Sequence, residues 1–100
     1  MGKATTNWSE RDIEISVQAY LLMLRAQQSG VTPNKSAVRA IYLSQLNGSR
    51  SAGSWERRMC NISAVLDSHD LPYVKGYKPL TNVGKNVHSL IVRAIVRYLV

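Results

Sequence analysis

One hundred residues, 45% of them hydrophobic and 19% charged, match one folded domain with a single modest core and exclude wholesale disorder. A net charge of +7 points to a polyanionic partner, and the lone cysteine, Cys60, excludes an internal disulfide framework and fits a reducing compartment. No apolar run approaches the ~18–20 residues that span a membrane, and Met1–Asn7 lack the apolar core of a signal peptide, so a cytoplasmic protein is expected.

The first helix is predicted from Trp8-Ser9-Glu10-Arg11-Asp12. Ser9 is placed to cap it, Asp12 sits where a capping box has a carboxylate, and Trp8 with Ile13 are spaced as a hydrophobic staple. Ile13, Val17, Tyr20, Leu21 and Leu24 then recur on one face. Ser29-Gly30 ends the helix, and Thr32-Pro33 prevents a restart. Residues 1–7 read as a flexible terminus.

Asn34 is placed to cap a second helix that carries Val38, Ile41, Tyr42 and Leu46 inward and stops at Asn47-Gly48. A short polar linker of small residues follows, with Ser51 and Ser54 as alternative caps for a third helix running to about Ser68. Trp55, Met59, Ile62, Val65 and Leu66 form its buried stripe, which leaves Arg57, Arg58 and Asn61 on the other side. Leu71-Pro72 breaks the helix, and Val74–Pro79 reads as an extended loop or short ribbon. From about Lys85 a fourth helix turns Val87, Leu90, Ile91, Ala94, Ile95, Tyr98 and Leu99 one way, with Val92, Val96 and Val100 as a second apolar line. A surface that wide is explained either by packing on the first helix or by a homodimer.

The expected fold is therefore all-α: a three-helix helix-turn-helix core over residues 8–82, a Pro/Gly/Tyr loop, and a C-terminal helix over 83–100. The charge is uneven. Before Asn34, Lys3, Arg11 and Arg25 are balanced by Glu10, Asp12 and Glu14, whereas from Asn34 onward ten cations face Glu56, Asp67 and Asp70. In a helix-turn-helix the third helix presents its leading residues to base edges in the major groove. Arg pairs bidentately with guanine and Asn with adenine, so Ser54, Arg57, Arg58 and Asn61 are the expected base contacts. Arg50, Ser51, Lys75, Tyr77 and Lys78 are the expected phosphate contacts. Tyr73 and Tyr77 equally fit a role covering the edge of the core.

The stretch Arg50-Ser51-Ala52-Gly53-Ser54, then Asn61-Ile62-Ser63-Ala64-Val65-Leu66, then Pro72-Tyr73-Val74-Lys75-Gly76-Tyr77-Lys78-Pro79 resembles a bacterial module. It is similar to the amino-terminal domain found ahead of nuclease domains in HNH-type and modification-dependent restriction endonucleases, and more loosely to Myb-like three-helix domains. Trp8-Ser9-Glu10, Tyr20-Leu21, Met23-Leu24 and Asn34-Lys35 fit the same pattern, so the resemblance spans residues 8–82. It implies a bacterial or phage-encoded DNA-binding module at the nucleoid, acting as a small regulator or as the targeting part of a restriction or defence system. After Lys78-Pro79 the family tends to continue Asn-Tyr-Gln, whereas here Asn82 precedes Val83-Gly84. The Cys and His pattern of an HNH site is absent, and the chain as given runs to Val100 without a nuclease domain, so nuclease activity is not carried over.

Nothing in the sequence has the spacing of a catalytic or metal site. His69 and His88 stand apart, Ser63 has no nucleophile elbow, and the acids are scattered. The expectation is a non-enzyme without cofactor, whose partner is double-stranded DNA, with a second copy of the chain as a further candidate. The competing reading is a protein-interaction module that docks through the last helix and aims its charge at an acidic partner.

Overall fold

The computed structural model describes residues 8–46 and 51–99. They form four helices and no strand: α1 Glu10–Gln28, α2 Lys35–Leu43, α3 Ala52–Ser68 and α4 Lys85–Tyr98.

The helix starts follow local chemistry. Ser9 Oγ accepts from the Asp12 amide at 3.0 Å, which satisfies a donor the first turn of α1 would leave unpaired, and Glu10 and Asp12 suit the positive end of the helix dipole. Trp8 is partly buried against the core, in which Ile13 is fully buried. Asn34 Oδ1 caps α2 through the Ala37 amide at 3.0 Å. Of the two caps open for α3, Ser51 is the one used, its Oγ accepting from Ser54 N at 3.0 Å. α4 starts at Gly84, without a side-chain cap.

Two helix ends share one design. At α1, Gly30 takes a left-handed φ of 84° while Gly30 N and Val31 N return to the carbonyls of Gln27 and Ala26. At α3, Asp70 and Leu71 do the same toward Asp67 and Leu66, with Asp70 at φ 58°. Aspartate tolerates that conformation better than most side chains, which is why the turn forms without glycine.

α1 is central. It packs most extensively on α4 and also touches α2 and α3, and α3 in turn meets α2 and α4. The core joins Ile13, Val17 and Leu21 of α1 to Trp55, Met59 and Ile62 of α3 and to Ile91, Ala94 and Ile95 of α4. Leu90 and Tyr98 lie half-buried against it. Leu90, Ile91, Ala94, Ile95 and Tyr98, for which packing and dimerisation were both open, are thus engaged in packing within the chain. Their neighbour Leu99, expected on the same face, is 46% exposed. Ion pairs reinforce the α1–α4 contact: Arg97 to Glu14 at 2.9 Å and Arg93 to Glu10 at 3.6 Å. Each is exposed enough to contribute only ~0–1 kcal/mol.

α2 departs from expectation at Ile41, which is 60% exposed instead of buried. Val38, Tyr42 and Leu43 supply the half-buried contacts, and Leu46, in the turn after the helix, is buried. No helix among the described residues is long and apolar enough to cross a membrane.

Candidate nucleic-acid interface

The segment between α3 and α4 has neither helix nor strand, yet it is ordered by hydrogen bonds from three directions. From α1, Gln27 Nε2 donates to Tyr73 O at 3.0 Å and Gln27 Oε1 accepts from Lys75 N at 2.8 Å, so one amide serves the strap as a neighbouring strand would. Tyr20 OH accepts from Val74 N at 2.8 Å and shares a 2.7 Å hydrogen bond with Ser63 Oγ, tying α1, α3 and the strap at a single buried point. From α3, Asn61 Nδ2 donates to Leu80 O at 2.9 Å, and Leu80 N donates to Cys60 O at 3.0 Å. From α2, Lys35 Nζ donates to Gly76 O at 3.0 Å and lies 4.5 Å from the centre of the Tyr77 ring.

Between these anchors the strap makes a tight turn, Tyr77 N returning to Val74 O at 3.0 Å, with Lys75 and Gly76 at the apex. Glycine at that apex permits close approach: a Cβ on Gly76 would stand 3.2 Å from both Cδ and Nζ of Lys35.

Burial shifts the groups packed here. Tyr20, fully buried, has its phenol pushed up to about 12 by desolvation, against the hydrogen bonds from Ser63 and Val74. Burial also pushes the Tyr77 phenol up, with the neighbouring Trp55 indole pulling the other way. That indole N–H is buried and favours the phenolate without closing a well-formed hydrogen bond. Burial, followed by the charge of Glu56, raises the half-buried Cys60 thiol, which disfavours the nucleophilic thiolate.

Several expected contact residues lie elsewhere than the helical pattern places them. Asn61 is 3% exposed, and its amide is occupied by Leu80 and by Arg58 Nη1, which donates to its Oδ1 at 3.0 Å. It is therefore removed from the base-contact set. Arg58 is half-buried, with its guanidinium 4.6 Å from the Trp8 ring centre, and is committed to packing in the same way. Tyr77, 2% exposed, belongs to the core and not to a phosphate surface. The cause is common to all three: the strap and Trp8 cover α3 on a second side, at Arg58 and Asn61, and leave Arg57 exposed.

Arg57, Ser51, Lys75 and Lys78 are exposed and Ser54 is half-exposed, although the Ser51 hydroxyl already caps α3. Arg50 lies outside the described residues. Lys35 and Arg39, one turn apart on α2, were not singled out from the sequence as contact residues. Both sit beside Tyr77, Lys35 through its ring and Arg39 close enough to favour its phenolate. Their i, i+4 spacing was the available signal, but only the fold brings the strap against that side of α2.

No known family model matches the chain, and neither the curated proteins nor the solved structures yield a match.

The chemistry available is that of cations and hydrogen-bond donors. Lys35 and Arg39 lie beside Tyr77, Lys75 and Lys78 flank it in sequence, and none of the four carries an ion pair among the described residues, whereas Arg93 and Arg97 are held by acids of α1. Glu56 is the one acid acting on Tyr77 and Cys60. Among the described residues no group of three or more His, Cys, Asp or Glu side chains is placed to hold a metal ion, and the rings of His69 and His88 stand 6.4 Å apart.

Proposed function

We propose that this chain is a non-catalytic module that binds double-stranded DNA, in the manner of a helix-turn-helix, and serves as a small regulator or as the targeting part of a restriction or defence system. The observation that carries the reading is the partition of its positive charge. The α4 arginines pair with α1, while among the described residues the cations of α2 and the strap carry no ion pair. A net +7 partitioned in this way attracts a polyanion and steers it to those cations. The resemblance to the restriction-associated module supports duplex DNA as that polyanion.

In this reading the leading turn of α3 presents Ser54 and Arg57 to base edges, and Ser51, Lys75 and Lys78 hold phosphates. Arg57→Ala is expected to cost about 1–3 kcal/mol on a preferred duplex and much less on random sequence. Lys78→Ala should weaken binding to every duplex alike and reduce the slope of log affinity against log salt by about one. Fluorescence anisotropy titrations at two salt concentrations measure both. Absence of binding at low salt would instead favour an acidic protein partner.

A second copy of the chain is a further proposed partner, for which the support is Val96. It is 71% exposed beside an apolar hollow of about 270 Å³ formed with Val65, Leu71, Val92 and Ile95. Burial of that face would stabilise a dimer, and Val96→Glu should then shift sedimentation toward the monomer. A wild-type chain that sediments as a monomer at high concentration rules the dimer out.

A further inference from the structure

A cleft of about 630 Å³ opens between the α1–α2 turn, the first turn of α2 and the apex of the strap. Its chemistry is one-sided. Lys35 and Lys75 both line it, Thr32, Asn34 and Ser36 add neutral polar groups, and no carboxylate is among the lining residues. Building on the DNA-binding reading, we infer that this cleft is where a backbone phosphodiester of the duplex sits, with Lys35 and Lys75 as its paired cations and Arg39 as a flanking one.

Three features support the assignment. First, the cleft joins elements far apart in the chain, and both lysines are placed by contacts of their own. Lys35 is fixed by Gly76 O and the Tyr77 ring, and the Lys75 backbone is fixed by Gln27 Oε1. Such placement lowers the ordering cost of binding. Second, an ammonium has three donors, and Lys35 uses one of them on Gly76 O, which leaves two for phosphate oxygens. Third, Gly76 lets Lys35 lie close against the strap, where an added Cβ would stand 3.2 Å from its Cδ and Nζ.

The test compares local with diffuse electrostatics. Lys35→Ala, Lys75→Ala and Gly76→Ala are measured against Arg11→Ala and Lys85→Ala, two exposed cations outside the cleft lining. All are titrated with the same fluorescent duplex across a salt series, after circular dichroism has confirmed the fold. Each cleft lysine variant is expected to lose roughly three- to tenfold in affinity and about one unit of salt slope, and the control variants less than twofold. Gly76→Ala, which changes no charge and crowds only the flexible end of Lys35, should lose less affinity than either lysine variant. Equal losses for controls and cleft variants would overturn the cleft assignment and leave DNA binding standing. Failure of the wild-type chain to bind duplex at low salt would overturn both.

Discussion

Trp55→Ala is expected to remove about 3–5 kcal/mol of stability, the largest loss from any single substitution considered for this fold. Trp55 is 1% exposed in the first turn of α3, in a core that also holds Met59, Tyr77 and the α1 side chains. Alanine there forfeits the transfer energy of an indole and leaves a cavity that rigid helices close only in part. A domain of this size has a total stability of about 5–15 kcal/mol, so the variant should populate the unfolded state under mild denaturant. Urea unfolding followed by circular dichroism measures the change. Trp55→Phe should lose much less, because the ring volume is largely kept and the deleted N–H is one the fold does not pair well. A loss below about 1 kcal/mol for the alanine variant would contradict the central place given to Trp55.

Tyr20→Phe should have the second-largest effect and the more informative one. The ring is retained, but Ser63 Oγ and Val74 N each lose a buried partner, at a combined cost of about 2–4 kcal/mol. The pH dependence follows from the same hydroxyl. Its folded value, about 12, lies above the ordinary 10.0, so the folded state keeps this proton where the unfolded chain has released it. The contribution is complete below pH 10 and declines as pH rises toward 12, by about 3 kcal/mol in total. Tyr77 and Cys60, both pushed upward, act in the same direction. Wild type should therefore weaken steeply in alkaline urea titrations, and Tyr20→Phe, less stable at neutral pH, should weaken with a shallower slope. Identical slopes for the two proteins would show that Tyr20 does not titrate as its burial requires.

The helices were legible in the sequence because their ends are written in short-range chemistry. Ser9, Asn34 and Ser51 cap as their positions suggest, and Gly30 terminates α1 as expected. The candidate site was less legible because it depends on contacts across 41 to 54 positions of chain, from Lys35 to Gly76 and from Tyr20 to Val74. A helical pattern read in isolation assigns one buried stripe and one free face. α3 breaks that assumption at Asn61 and Arg58, and nothing near them in sequence signals the strap that covers them. Ile41 errs the other way, since an apolar residue at helical spacing gives no sign that α2 rests on the core by a narrower edge.

The pairing of α1 with α4 sets the order in which the fold can be completed. Ile13 and Val17, fully buried in the finished core, belong to α1, which leaves the ribosome well before α4 with Ile91 and Ala94. Contacts this remote along the chain make an all-helical domain slower to close than a bundle of adjacent hairpins. During synthesis α1 must therefore wait with an apolar flank uncovered, and in that interval it is open to chaperones and to misassociation.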